Sequence, residues 1–145
     1  MQNVFDAKDA QEYINRINNL TPETQRKWGK MSVDQVLAHL NVAYDLTFTP
    51  EKFPKPSFIA KFLLSKFVKP KITNEIPYKP SLPTSPAFII ADERNFEEEK
   101  AKLIGNIQRV QQLGREAFEG KENINFGKMT AQCWNNMFAK HLNHH

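Results

Sequence analysis

The chain has 145 residues and a mass of 16.8 kDa, enough for one domain over residues 1–145 with a core of its own. It is 40% hydrophobic and 25% charged, which excludes a disordered chain, and its one cysteine, Cys133, excludes an internal disulfide. The net charge of +4 is concentrated: residues 51–79 hold seven lysines against Glu51 and Glu75, and the remainder nets −1, so no basic stripe or recognition helix points to nucleic acid.

The first predicted helix spans 7–20. Asp6 is its cap, Asp9 sits in the first turn, and Ala10, Tyr13, Ile14, Ile17 and Leu20 recur at helical spacing. Thr21-Pro22 restarts the chain as a cap and a first helical residue, with a short turn to Trp28-Gly29. Trp28 reads as packing at that junction. The second helix begins at Ser32, with Gln35 completing a capping box, and shows Val33, Val36, Leu37, Leu40 and Tyr44 on one face as far as about Thr47.

Residues 50–56 are rich in proline. Phe58 to Val68 is strongly apolar, with Phe58, Ile59, Phe62, Leu63 and Phe67 able to share one helical face and Lys61 and Lys66 embedded. Docking on the bundle or on a twin subunit is the simpler use of that face, and a membrane surface the other. Lys61, Lys66, Lys69 and Lys71 offer attraction to an anionic substrate. Over 69–87 the prolines Pro70, Pro77, Pro80, Pro83 and Pro86 forbid a regular element and predict a long loop.

The next long helix runs from about Asn95 to Leu113, with Phe96, Leu103, Ile104, Ile107 and Val110 as its buried stripe and Glu97 to Glu99 in its first turn. Gly114, Gly120 and Gly127 mark a connection over 114–128. The last helix starts from Thr130. The expected fold is all-α: a four-helix bundle with a short helix and a Pro-rich loop inserted between its second and third long helices. No apolar run reaches membrane-spanning length. MQNVFDAKDAQEY lacks the regions of a secretory leader, and the expected location is cytoplasmic.

Three of the four histidines, His141, His144 and His145, crowd the last five residues. Trp134, Met137, Phe138, His141 and His145 share one helical face, and a pair four residues apart presents two imidazoles on adjacent turns. His39, on the second helix, is the remaining histidine and the candidate third ligand. Three neutral nitrogens leave positions open for water or substrate, as in a catalytic site, and zinc, nickel or iron suits them. On phase alone His144 could replace His145, and the residues could equally serve a structural role. Trp134 reads as core, and Cys133 as a small buried apolar residue rather than a nucleophile.

Arg26-Lys27-Trp28-Gly29-Lys30-Met31-Ser32 running into Gln35-Val36-Leu37-Ala38-His39-Leu40, then Asn125-Phe126-Gly127-Lys128-Met129-Thr130, then Trp134 through Lys140-His141-Leu142-Asn143-His144-His145, resemble the DUF1569 family. That family is placed in the DinB/YfiT-like superfamily of predicted metalloenzymes. The resemblance implies an up-down-down-up bundle, often a homodimer. It also implies a divalent metal held by His39, His141 and His145, with His144 as a non-ligand between the last two. Superfamily relatives transfer or use low-molecular-weight thiols such as bacillithiol or mycothiol, so the resemblance implies a small-molecule substrate and a metal-dependent hydrolase or thiol S-transferase. A non-enzymatic bundle with a structural or empty histidine site is the competing reading.

Overall fold

The computed structural model describes residues 2–24, 31–78 and 86–145. In chain order its helices are α1 (Ala7–Asn18), α2 (Val33–Phe48), α3 (Phe58–Leu63), α4 (Lys69–Thr73), α5 (Phe96–Leu113), α6 (Arg115–Phe118) and α7 (Ala131–His144). Two short strands, β1 (Lys121–Asn123) and β2 (Gly127–Met129), lie between α6 and α7. The proposed role of Trp28 and its turn at Gly29 fall outside the described residues, as do Lys79, Pro80 and Pro83.

Polar side chains start the long helices where the sequence places them. Asp6 Oδ2 accepts from Asp9 N–H at 3.1 Å, Asn95 Oδ1 from Glu98 N–H at 3.0 Å, and Thr130 Oγ1 from Cys133 N–H at 3.1 Å. Each satisfies a donor that the first helical turn leaves without a partner. At α2 the Ser32 N–H donates to Gln35 Oε1 at 3.0 Å, and the Ser32 hydroxyl donates to the Asp34 carboxylate.

Cross-helix contacts set the directions. Val4 N–H donates to Asn135 near the start of α1 and α7, and Arg16 donates to Asn143 near their ends, so these two run parallel. Arg94 N–H donates to Asp34 at the start of α2 and α5, and Arg109 lies 3.9 Å over the Phe48 ring at their ends, so these also run parallel. Tyr44 stacks on Phe138 while His39 meets His141, which makes α2 and α7 antiparallel. The order is therefore up-down-down-up. Two parallel helices in succession cannot share a tight turn. The chain must travel back along the 16 residues of α2, about 24 Å, and the segment 49–95 makes that return.

The core is drawn from α1, α2, α5, α6, α7 and the hairpin, with Leu37, Leu103, Phe118 and Trp134 sealed from solvent. Trp134 is core, as expected: its ring packs on Phe118 and Phe138, and its indole N–H donates to Lys121 O at 3.2 Å. Cys133 is half-buried against the same cluster.

Four local expectations change. The helix started at Phe58 does not end at Val68. It passes through a π-turn over Leu64–Val68 and continues through Pro70 as α4. Proline breaks an α-turn by removing a donor and crowding the carbonyl four residues back, and here it enters in the first turn after a widened one, where neither cost applies. Pro86 likewise begins a short 3-10 turn, Pro86–Phe88. Residues 114–128 are not a bare connection: α6 and the antiparallel β1–β2 hairpin occupy them, turning on Gly120 and Gly127 at φ 75° and 73°. Finally, the apolar face of the inserted helix points outward. Leu64 and Ile72 pack on the core, while Phe58, Ile59, Phe62, Leu63 and Phe67 are exposed.

Candidate metal centre

His39 sits where α2 is enclosed on every side. Residues Leu37 to Tyr44 are all buried, because α5, α7 and the chain around Phe88 and Ile90 cover the helix together. On α7, Trp134, Phe138 and Leu142 enter the core, and the Tyr44–Phe138 stack, with centroids 4.8 Å apart, fixes that helix against α2. One turn beyond Phe138, His141 faces His39, and one turn further His145 does too.

The three side chains converge on their Nε2 atoms. His39 Nε2 lies 2.9 Å from His141 Nε2 and 2.9 Å from His145 Nε2, and the three ligand atoms all fall within 4.8 Å of one another. Two imidazole nitrogens on one ion, each bound at 2.0–2.1 Å, stand no more than about 4 Å apart, so both contacts to His39 are of the right size.

Proton counting makes the donor set more informative. His39 Nδ1 is 2.7 Å from Phe88 O, a carbonyl that can only accept, so the proton of the neutral ring is on Nδ1. His39 Nε2 then offers a single lone pair to two nitrogens. One of them can donate to it, and the other contact then sets lone pair against lone pair or brings a second hydrogen to a lone pair already used. A cation held by the three imidazoles would relieve both contacts. Phe88 also walls the site, its ring edge-on to His39 and His141 at 5.4 and 5.5 Å.

Electrostatics favour the neutral, ligating form of each ring. Burial, and then the neighbouring His39 and His145, hold His141 well below the ordinary histidine range. Burial and the neighbouring rings push His145 down to about 3. His39 is lowered by burial, against the opposing effect of the Phe88 carbonyl. Among the described residues, the group of converging ligand atoms is made of histidines alone. His144 lies outside that group, edge-on to Tyr78 with ring centroids 5.3 Å apart.

Sequence reasoning missed Phe88 and Tyr78. Phe88 acts on His39 through a backbone carbonyl, which no side-chain pattern reports. Lys140 was equally silent: its ammonium is buried over Tyr78 at 4.3 Å, donating to Lys71 O at 2.5 Å and Asn74 Oδ1 at 2.7 Å. The lysines proposed to attract an anionic substrate are partly committed elsewhere. Lys61 pairs with Glu122 at 2.8 Å, and Lys69 donates to Lys128 O at 3.1 Å.

A family model described as "Protein of unknown function (DUF1569)" matches residues 2–145. No curated protein and no solved structure matches the chain.

Proposed function

The chain belongs to the DUF1569 family, and from that premise we propose that it is a divalent-metal-dependent enzyme acting on a small molecule at His39, His141 and His145. The observation that carries the reading is the pair of 2.9 Å contacts at His39 Nε2, which neutral imidazoles alone cannot both satisfy. Zinc, nickel or iron suits three such nitrogens. When bound, the ion supplies a Lewis acid that lowers the pKa of a water or a thiol held beside it.

The chain's own residues do the preparatory work. The Phe88 carbonyl keeps the proton of His39 on Nδ1 and so presents Nε2. Burial keeps the three rings neutral near pH 7, and the Tyr44–Phe138 stack holds their two helices in register. With three protein nitrogens in the group among the described residues, coordination positions remain for water or substrate. Likeness to the thiol-using DinB/YfiT-like superfamily supports a low-molecular-weight thiol as cosubstrate and a thiol S-transferase or hydrolase reaction, by analogy of fold.

Elemental analysis of untagged protein tests the reading. Close to one equivalent of metal is expected, lost in His39→Ala and His141→Ala and kept in His144→Ala. Protein that stays metal-free after exposure to zinc, nickel and iron would overturn it. A second reading, an ion that only braces α2 against α7, rests on His39 and His141 standing on the two helices that the Tyr44–Phe138 stack joins. Full metal content without turnover of any thiol would support that alternative.

A further inference from the structure

The metal centre leaves unexplained the outward face of the inserted helix. Phe58 is 89% exposed, Ile59 70%, Phe62 58% and Phe67 58%, with Leu63 and Val68 beside them. The three phenylalanines together expose the equivalent of about two whole rings, roughly 400 Å², and the aliphatic neighbours extend the patch past what a typical monomer shows. The π-turn contributes directly. Phe62 and Phe67 are five residues apart, at opposite sides of the stripe in an α-helix, whereas a π-turn brings residues i and i+5 closer together. Lys66 sits over both rings, its Nζ 6.0 Å from the Phe62 centroid and 5.6 Å from that of Phe67.

The surroundings are basic from two separate parts of the chain. Lys55, Lys61 and Lys128 all act on one carboxylate, Glu122, holding it below the usual range, and Lys69 reaches the β2 backbone. Exposed Lys52, Lys66 and Lys71 add to the same segment. A second copy docked symmetrically on this face would bring the same surface, and so lysine, against lysine. An anionic bilayer answers both features at once: acyl chains take the phenylalanines and headgroups take the ammonium groups.

We propose that the Phe58–Val68 face docks the protein peripherally on anionic membrane surfaces. The full chain should co-sediment with vesicles of phosphatidylcholine and phosphatidylglycerol in equal parts, more weakly as salt is raised, and not with phosphatidylcholine alone. Phe58→Ser with Phe62→Ser should weaken that binding at least about tenfold. Lys66→Glu should weaken it as well. Both variants change exposed positions, so unaltered circular dichroism and metal content control for folding. Failure to sediment with phosphatidylglycerol vesicles would overturn the proposal, as would sedimentation indifferent to the phenylalanine pair. A dimer in light scattering that the same pair abolishes would give the face to a second copy and would also overturn it.

Discussion

Replacing His39 by alanine separates the metal centre from the fold that carries it. In metal-free protein the substitution removes a ring that is 3% exposed and leaves Phe88 O without its donor. A large-to-small change and an unsatisfied acceptor together cost about 2–4 kcal/mol, eased because the two 2.9 Å contacts at Nε2 also vanish. For 145 residues the unfolding entropy near the midpoint is about 0.3 kcal/mol per degree, so Tm should fall by roughly 7–13 °C. Zinc at a hundredfold excess over its Kd should raise the parent protein by about 2.7 kcal/mol, roughly 9 °C on the same scale. In His39→Ala that rise should disappear, while His144→Ala should keep it. Scanning calorimetry of chelator-stripped, untagged protein with and without zinc reads both quantities. A zinc-induced shift that survives in His39→Ala would refute the three-histidine site, and so would no shift in the parent protein.

Two further outcomes follow from burial. The three rings have folded-state pKa values below the unfolded value near 6.5, so under acid conditions the unfolded chain binds more protons than the native one. Stability of the metal-free protein should therefore be full above pH 6.5 and fall as pH drops toward 4, less steeply in His145→Ala; urea midpoints that stay level from pH 7 to 5 would contradict this. Lys140→Met keeps the apolar stem but removes two charge-assisted hydrogen bonds from the end of α4, and should cost about 2 kcal/mol in urea unfolding. Hydrogen exchange should rise first over residues 69–78, and an even rise along the chain would place the role of Lys140 elsewhere.

The frame was legible because it rests on local rules. Asp6, Ser32, Asn95 and Thr130 stand where helices begin, and the apolar stripes read on α1 and α5 are buried except at half-buried Leu20 and Ile104. The misread parts fail for identifiable reasons. Strands of three residues are too short to show alternation, so only Gly120 and Gly127 hinted at the hairpin. Pro70 was read by the rule for α-turns and stands after a π-turn. Periodicity identified the Phe58–Phe67 face but not what it faces. For the histidines, phase on α7 put His141 and His145 on one face but left His144 as a substitute, and bringing His39 to them across more than a hundred residues is a property of the bundle.

The same topological demand explains why the centre is enclosed. Because α2 and α5 run parallel, the chain between them must return along the bundle, and it passes over the end where α2 meets α7. That return lays Phe88 against His39 and Tyr78 against His144, while Lys140 and Asn136 of α7 grip Lys71 O and Thr73 O at the end of α4. Shortening the crossover would therefore not merely trim a loop. It would remove the carbonyl that fixes the His39 proton and the ring that shields His141, so helices in an otherwise intact bundle would hold a solvated, unoriented triad.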